Sequence, residues 1–346
     1  MNENHPTIGI TMGDPCGIGP EIVVKAMSDA SLRARARYVV FGFSELFSYI
    51  ADLVEGDFPW YRDHHENLQR YPYDVIVLDY DELPSPAAGQ HEPTHYGGRA
   101  SAAFLEDAVA AAQAGMIDAL VTAPISKQAW RLAGYRFPGH TEMLAKRTRS
   151  RNYAMMFVAP QLKVVLATIH EPLFAVRDRF SIGCVFNPID LADRALRDLF
   201  GIADPRIALC GLNPHAGEGG SIGDEEKRII EPAALMAAEA GANVSGPYPA
   251  DTLFRRAVAG EFDCVIAMYH DQGLIPIKLL AWRKAVNLTL GIPFIRTSPS
   301  HGTAFDIAGK NRADPEPMKA AIRLAIDLAA KRLATRAAKR AGHVGM

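Results

Sequence analysis

The sequence has few cysteines, no long apolar run and no large excess of charge of either sign. The cysteines of the 346-residue chain are Cys16, Cys184, Cys210 and Cys264, and no two of them form a CxxC pair. Their spacing matches neither a zinc motif nor a disulfide framework. We therefore interpret them as free thiols in a reducing compartment.

The charge balance and the hydropathy pattern exclude two classes of partner. Lys and Arg number 37 against 39 Asp and Glu, so no basic field would attract nucleic acid or an anionic membrane. No run approaches the roughly 18 apolar residues needed to span a bilayer. Residues 1–7 are polar, and Gly and Pro soon interrupt the apolar stretch behind them. We therefore expect no secretory signal and a cytoplasmic location.

Short apolar runs alternate with helical patterns along the whole chain. The runs are rich in Val, Ile and Leu without strict alternation, which is typical of strands covered on both faces. The predicted strands are residues 8–11, 38–41, 75–78, 119–122, 164–168, 207–210 and 264–268, and predicted helices include 20–27, 100–114, 224–240 and 315 to about 338. This repeated β–α–β order predicts an α/β fold with a doubly wound, mostly parallel sheet.

Three histidines occupy informative positions. His170 and His270 each follow a predicted strand by two residues, and His215 follows another through the turn Gly-Leu-Asn-Pro. In open α/β sheets, ligands bind beyond the carboxyl ends of the strands. Three protein imidazoles with an open position are one way to build a catalytic metal site. The alternative for each histidine alone is a hydrogen-bonded turn residue. Asp271 either orients His270 or caps the turn.

Other polar residues stand in apolar segments or at helix starts. Lys278, Asn287 and Arg296 have strand-like apolar neighbours, and a buried Lys or Arg must be paired or functional. Two cations near one site favour a phosphorylated or carboxylated substrate, and structural ion pairing is the competing interpretation. His140 and Thr141 open a predicted helix, where free amide groups favour an anion and where Thr141 can act as a cap.

Two further features allow more than one interpretation. Asp251 suits either acid–base chemistry or the capping of a helix. The loop at residues 13–21 is similar to a dinucleotide-binding turn, but Ile22 stands where the third glycine of GxGxxG would fall. We interpret this loop as a structural turn, and the alternative is that it lines the site.

Together these segments resemble the 4-hydroxythreonine-4-phosphate dehydrogenase family of vitamin B6 synthesis. The similarity runs in order along nearly the whole chain, and residues 46–90 show little of it. The matching stretches are ITMGDPCGIGPEI at 10–22, DALVTAPISK at 118–127, FPGHTE at 137–142, CGLNPHAGEGG at 210–220, GPYPADTLF at 246–254, AMYHDQGLIPIK at 267–278 and VNLTLGIPFIRTSPSHGTAFDIAG at 286–309.

The resemblance implies a fold and a set of site residues. The implied fold has two α/β lobes like those of isocitrate and isopropylmalate dehydrogenases, in a homodimer with its active site at the interface. One divalent ion per site (Zn, Mg or Co) would be held by His170, His215 and His270, with ligands from both subunits. The implied substrate contacts are His140, Thr141, Lys278, Asn287 and Arg296. Lys278 and Asp251 are the candidates for proton transfer.

The resemblance also implies an activity. It is the oxidation and decarboxylation of 4-phosphohydroxy-L-threonine to 3-amino-2-oxopropyl phosphate, with NAD or NADP as the acceptor. The nearest alternative is a relative that acts on D-threonate or D-erythronate 4-phosphate in sugar-acid catabolism. A dihydrodiol dehydrogenase is disfavoured by the pair His140-Thr141. A metal-dependent phosphoesterase would need clustered carboxylates, which the sequence lacks, and a non-catalytic binding protein would need no metal.

The length predicts about two domains at roughly 150 residues each. We expect a discontinuous first α/β lobe of residues 1–135 and 300–346. The second lobe, residues 136–299, would carry most of the metal and substrate ligands. The Pro- and Gly-containing stretches 134–139 and 298–302 are the expected crossings between the lobes.

Overall fold

A computed structural model describes residues 5–67, 69, 73–86 and 89–344. The chain divides into two compact units, Met1–Arg149 with Ile292–Met346, and Ser150–Gly291. The boundaries of the predicted lobes, after residues 135 and 299, differ from the boundaries of these units, after Arg149 and Gly291. The division into lobes stays a prediction. In the units found here, His140, Thr141 and Arg296 belong to the first unit.

Strands and helices alternate along most of the chain. The strands of the described residues are β1 (Thr7–Thr11), β2 (Arg37–Phe41), β3 (Tyr61–His64), β4 (Val75–Asp79), β5 (Ala119–Thr122), β6 (Ala154–Ala159), β7 (Leu162–Leu166), β8 (Ile207–Cys210), β9 (Val244–Tyr248), β10 (Cys264–Ala267), β11 (Val286–Leu290) and β12 (Ile295–Pro299). The α-helices are α1 (Gly19–Met27), α2 (Ala30–Arg33), α3 (Ser44–Val54), α4 (His95–Gln113), α5 (Lys127–Leu132), α6 (His140–Thr148), α7 (Leu173–Arg179), α8 (Ile182–Ala195), α9 (Glu231–Glu239), α10 (Ala250–Val258), α11 (His270–Ala281) and α12 (Glu316–Val344).

The first unit contains a parallel sheet with the strand order β3-β4-β2-β1-β5-β12. Helices α4 and α12 both pack against it. Every residue of β4 is buried, and so is every residue of β1 after its first. This continuous burial explains why the strands read as unbroken apolar runs. Thr94 caps α4 by accepting a hydrogen bond from the amide of Gly97 at 2.9 Å.

The second unit has a mixed sheet with the order β11-β6-β7-β10-β8-β9. Strand β6 is antiparallel to both of its neighbours, whereas β7, β10, β8 and β9 run parallel. Helices α8 and α11 pack on this sheet, and α9 packs on β9. The carboxyl ends of β7, β10 and β8 therefore lie side by side at one edge, where ligand sites of α/β sheets form.

The structure confirms the predicted α/β class with mostly parallel sheets. Each of the seven predicted strands overlaps an observed one, although β7 ends at Leu166 and not at Thr168. The predicted helix at 224–240 begins with a π-helical turn, Glu226–Ile230. Thr141 is not a cap as expected, because α6 already begins at His140 after Gly139. In the described part of the chain, we find no helix with both the length and the hydropathy to cross a bilayer.

Candidate functional site

The three histidines lie at the carboxyl edge of the second unit's sheet. They follow β7, β8 and β10, the strands whose parallel ends are neighbours. The rings of His170 and His270 have centroids 5.9 Å apart. Among the described residues, no set of three ligand atoms within 4.8 Å of one another contains His170, His215 or His270. A single chain thus brings two imidazoles together and places the third on the same edge.

A carboxylate lies beside the Nδ1 atom of two of these histidines. The Nδ1 atom of His270 is 2.6 Å from Oδ1 of Asp271. The Nδ1 atom of His215 is 3.3 Å from Oε2 of Glu218. A carboxylate beside Nδ1 favours the imidazole tautomer with its hydrogen on Nδ1. The lone pair of Nε2 is then available to a metal ion. Of the two roles considered for Asp271, the contact supports the orientation of His270.

Hydrogen bonds join the segments that carry the histidines. The side chain of Gln272 accepts from the amide of Met268 at 2.7 Å and donates to the carbonyl of Gly211 at 2.8 Å. It thereby joins the end of β10 to the end of β8. The hydroxyl of Thr168 donates to the carbonyl of Met268 at 2.8 Å and joins β7 to β10. Gln272 stands two residues after His270, but nothing in the sequence marks it as a residue that joins two strand ends.

The loop that carries His215 has an unusual backbone. Residues 215–219 all have φ between 43° and 75°, the left-handed region. His215, Ala216 and Glu218 are not glycine, and L-residues lose roughly 1–2 kcal/mol each in this conformation. Surrounding structure must stabilise such a loop.

Glu226 supplies part of that stabilisation. Its side chain is buried, and its carboxylate accepts the amide of Asn213 at 2.7 Å and the side-chain amide of Asn213 at 2.9 Å. In the sequence, Glu226 stands only near the start of the predicted helix 224–240. An acidic residue at a helix start gives no sign in sequence that it is buried under a loop.

In the first unit, the half-buried His140 has a buried Nε2 atom and is influenced by the charge of the buried Arg296. Burial lowers the pKa of His140 well below its usual value, and the charge of Arg296 acts in the same direction. Burial lowers the pKa of Arg296 to about 9. The Arg296 guanidinium donates to the Thr122 hydroxyl through Nε at 3.2 Å and Nη2 at 2.5 Å. The Nε2 atom of His140 has no hydrogen-bond partner among the described residues. Thr141, beside it in α6, is also buried.

The remaining predicted residues lie in the second unit. Asn287 on β11 is buried, and its Oδ1 has no hydrogen-bond partner in the part of the chain that is described. Lys278 on α11 is half-buried, with Nζ 5.6 Å from the centre of the Trp282 ring. Asp251 is exposed in the first turn of α10. Within the described ranges, Lys278 and Asp251 make no hydrogen bond or ion pair, so structural pairing does not account for the Lys278 charge.

The N-terminal loop, interpreted as a structural turn, contains a buried carboxyl group. Asp14 is fully buried, and burial raises its pKa to about 6. Its Oδ1 accepts the amide of Cys16 at 3.0 Å, while Oδ2 has no partner among the described residues. The amide of Ile18 donates to the carbonyl of Thr303 at 2.9 Å. This contact joins the loop to the 286–309 stretch of the family resemblance.

Comparisons with known proteins agree with these features. A family model described as "Pyridoxal phosphate biosynthetic protein PdxA" matches residues 34–325. The 4-hydroxythreonine-4-phosphate dehydrogenase of Desulfosudis oleivorans is 47% identical over 329 residues, which cover 94% of this chain and 97% of that protein. The D-threonate 4-phosphate dehydrogenase of Cupriavidus necator is 42% identical over 335 residues, covering 96% and 100%.

A solved structure gives the same result. The crystal structure of 4-hydroxythreonine-4-phosphate dehydrogenase from Klebsiella pneumoniae has a TM-score of 0.85 and 40% identity, covering 95% of this chain and 99% of that one. These relatives are dehydrogenases, so the phosphoesterase alternative has no support and the protein is an oxidoreductase. The chain therefore belongs to the pyridoxal phosphate biosynthetic protein PdxA family.

Proposed function

We propose that the protein oxidises and decarboxylates 4-phosphohydroxy-L-threonine, with NAD as the hydride acceptor and one divalent ion per site. The observation that carries this proposal is the placement of His170, His215 and His270 beyond three neighbouring parallel strands in a chain of this family. The substrate is taken from the names of the relatives at 47% and 40% identity. The product would be 3-amino-2-oxopropyl phosphate.

The donor atoms of the second unit fit a divalent metal ion. His170 and His270 lie side by side, and Asp271 leaves Nε2 of His270 as the free nitrogen. Imidazole nitrogens suit Zn, Co or Ni, whereas Mg prefers oxygen ligands. When bound, the ion would act as a Lewis acid on the substrate's hydroxyl oxygen.

We propose that the buried polar residues recognise the substrate's anionic and polar groups. Arg296 offers a planar fork of donors suited to phosphate or carboxylate. His140 is held neutral by burial, so its free Nε2 can make a hydrogen bond without adding charge. Thr141 would add its hydroxyl. In the second unit, Lys278 would supply a point charge and Asn287 an acceptor oxygen.

Proton transfer is assigned to Lys278 and Asp251. The ammonium of Lys278 is held near Trp282 and has no carboxylate partner among the described residues, so it is available to a substrate. Asp251 is also our candidate for the group that faces the substrate's ammonium. That ammonium is what distinguishes 4-phosphohydroxy-L-threonine from the two sugar-acid phosphates, which carry a hydroxyl at the same carbon.

We propose that the working form is a homodimer. Helix α11, which carries His270 and Lys278, has a row of exposed apolar side chains at helical spacing. Ile275 is 65% exposed, Leu279 84% and Trp282 68%. Phe174 on α7, four residues after His170, is 94% exposed. A second copy of the chain would cover this apolar face and bring its own residues close to the predicted metal ligands.

A second candidate activity is the oxidation of D-threonate 4-phosphate or D-erythronate 4-phosphate. It is favoured by the 42% identity to the Cupriavidus necator enzyme, which lies between the 47% and 40% identities to the two 4-hydroxythreonine-4-phosphate dehydrogenases. These acids share the phosphate, the carboxylate and the hydroxyl carbon with 4-phosphohydroxy-L-threonine. The metal ion and the cations would therefore bind all three compounds.

The test is kcat/KM for the three phosphorylated acids, measured as NADH formation with one zinc-loaded preparation and repeated with NADP. We expect 4-phosphohydroxy-L-threonine to be preferred by about tenfold or more. A site built to pair with its ammonium would have buried polar groups left unpaired when a sugar acid with a hydroxyl at that carbon binds instead. Asp251→Asn should reduce that preference. A preference of similar size for either sugar acid would replace the proposed substrate with the second candidate.

A further inference from the structure

A cluster of histidines and carboxylates lies in the first unit, in a stretch that shows little of the family resemblance. His64 ends β3, an edge strand, and His65 begins the short helical turn His65–Asn67. Glu82 follows β4, the strand paired with β3. His64, His65 and Glu82 each present a ligand atom within 4.8 Å of the others.

The distances within this cluster suit a shared cation. The Nε2 atom of His65 is 3.1 Å from Oε1 of Glu82, and the Nε2 atom of His64 is 3.6 Å from Oε2 of Glu82. Two ligands about 2.0–2.1 Å from a tetrahedral zinc ion are about 3.3–3.4 Å apart. The observed separations bracket that value, so a small movement of the side chains would place an ion among them.

His65 is held as a metal-ligating histidine usually is. Its Nδ1 atom is 3.0 Å from Oδ2 of Asp107, which also accepts the hydroxyl of Tyr80 at 2.8 Å. The His65 ring stacks on the Tyr80 ring with centroids 4.1 Å apart. A carboxylate that accepts a hydrogen bond from Nδ1 favours the tautomer with its hydrogen on Nδ1, so that Nε2 can ligate a metal ion. Nε2 is the atom that faces Glu82.

His64 is held less firmly. Its Nδ1 atom accepts a long hydrogen bond of 3.4 Å from the amide of Glu66 and lies 3.8 Å from the Glu66 carboxylate. Ligation through Nε2 would move the hydrogen to Nδ1, where that carboxylate can accept it. The Oδ1 atom of Asp81 is 3.6 Å from Nε2 of His64 and would be a fourth ligand.

The local charges favour a cation at Glu82. Arg62 pairs with Asp79 at 2.6 Å and with Asp81 at 2.9 Å. Among the described residues, Glu82 forms ion pairs with His64 and His65 alone. The side chains are accessible, with 36% of His64, 20% of His65 and 46% of Glu82 exposed. The cluster can therefore exchange an ion with solvent.

We propose that His64, His65 and Glu82 bind a divalent cation, with zinc preferred, at a site made wholly of first-unit residues. With Asp81 as the fourth ligand, two imidazoles and two carboxylates form a four-coordinate donor set that suits a structural zinc ion. The ion would link the edge strand β3 to the segment after β4, and through Asp107 to α4. Its role is to stabilise this edge of the sheet, and it takes no part in the dehydrogenase reaction.

The test starts from a full-length variant in which His170, His215 and His270 are all alanine, so that the predicted catalytic ion is removed. We expect this variant to retain bound zinc after equilibrium dialysis and metal analysis, and to give a visible Co²⁺ spectrum. Glu82→Gln in that background should abolish both signals. Gln keeps the size of the side chain and removes only the anion, so folding should be preserved.

Glu45→Gln is the matched control, because it removes an exposed carboxylate of the same unit far along the sequence from the cluster. Asp107→Asn should weaken zinc binding by about 10–100-fold. In the triple-histidine background, Glu82→Gln should abolish the zinc-dependent rise in melting temperature. In the otherwise unaltered protein, it should leave kcat unchanged. Zinc bound equally by the Glu82→Gln and Glu45→Gln proteins would overturn the proposal, as would a triple-histidine variant that binds no zinc.

Discussion

At the scale of single residues, burial sets the charge states that matter in the first unit. His140 is neutral because burial and the neighbouring Arg296 both lower its pKa. Burial lowers the pKa of Arg296 to about 9, which still leaves it charged at neutral pH. Asp14 shows the opposite effect, because burial raises its pKa to about 6. These groups tolerate burial only with partners or with a function.

Arg296→Lys should lower kcat/KM by about 10–100-fold. A hydrogen bond to a charged group contributes about 1.5–3 kcal/mol, and Lys cannot reproduce the bidentate fork. The measurements are steady-state kinetics and thermal unfolding. Arg131→Lys, at an exposed position in α5, is the control and should change neither. An Arg296→Lys protein that melts earlier yet has normal kinetics per folded molecule would assign Arg296 a structural role.

Asp14→Asn should change how stability depends on pH. The folded-state pKa of about 6 lies above the usual 3.8, so the folded protein binds the proton more tightly than the unfolded chain. The stability that this group contributes is present at pH 4 and is lost as pH rises toward 7, by about 3 kcal/mol at most. Asn carries no charge, so the variant should gain stability relative to the parent between pH 4 and 7. Equal pH dependence of the two urea unfolding free energies would contradict this expectation.

At the scale of elements, the segments that follow β7, β8 and β10 carry the predicted metal ligands. Gln272 joins the ends of β8 and β10, and Glu226 supports the left-handed loop that carries His215. Neither residue is expected to contact the ion. They act by fixing the backbone from which His215 and His270 extend.

Gln272→Ala should lower zinc affinity at the three-histidine site by about 10–100-fold, the usual effect of removing an outer partner of a metal site. The substitution removes the hydrogen bonds that the Gln272 side chain makes with the amide of Met268 and with the carbonyl of Gly211. Affinity is measured by competition with a chelator in a protein that carries Glu82→Gln, so that only one site is observed. Gln113→Ala, at the exposed end of α4, is the control. Unchanged affinity would show that the loop is fixed without Gln272.

At the scale of the whole molecule, the exposed apolar face on α11 predicts the assembly. Leu279→Glu should convert a dimer into monomers, because it places a charge in the apolar row of Ile275, Leu279 and Trp282. If the partner subunit completes the active site, activity should decrease in proportion to the fraction of dimer. Light scattering and activity are measured on the same fractions. Leu235→Glu on α9, where the side chain is 62% exposed, is the control and should remain dimeric. A fully active Leu279→Glu monomer would contradict an interface role for this face.

The sequence by itself determined the fold class, the family and the strands that precede the histidines. Buried parallel strands read as unbroken apolar runs, and that signal is local. Of the strands in the described residues, it missed β3, β6, β9, β11 and β12. The residues of β3 are polar and β9 contains Gly246 and Pro247, so neither has the apolar run on which the prediction depended. Strand β6 does have such a run, and the prediction still passed over it.

Only the tertiary structure decided which distant residues meet and which are buried. Three contacts show this. Gln272 donates to the carbonyl of Gly211, Glu226 accepts the amide of Asn213, and the His65 ring stacks on the Tyr80 ring. Nothing in the sequence indicates that these residues meet. The burial of Asp14 and the free Nε2 of His140 likewise follow from packing. The hydrophobic pattern of a segment indicates only which of its faces is buried. These contacts depend on how segments that are distant in the sequence pack together.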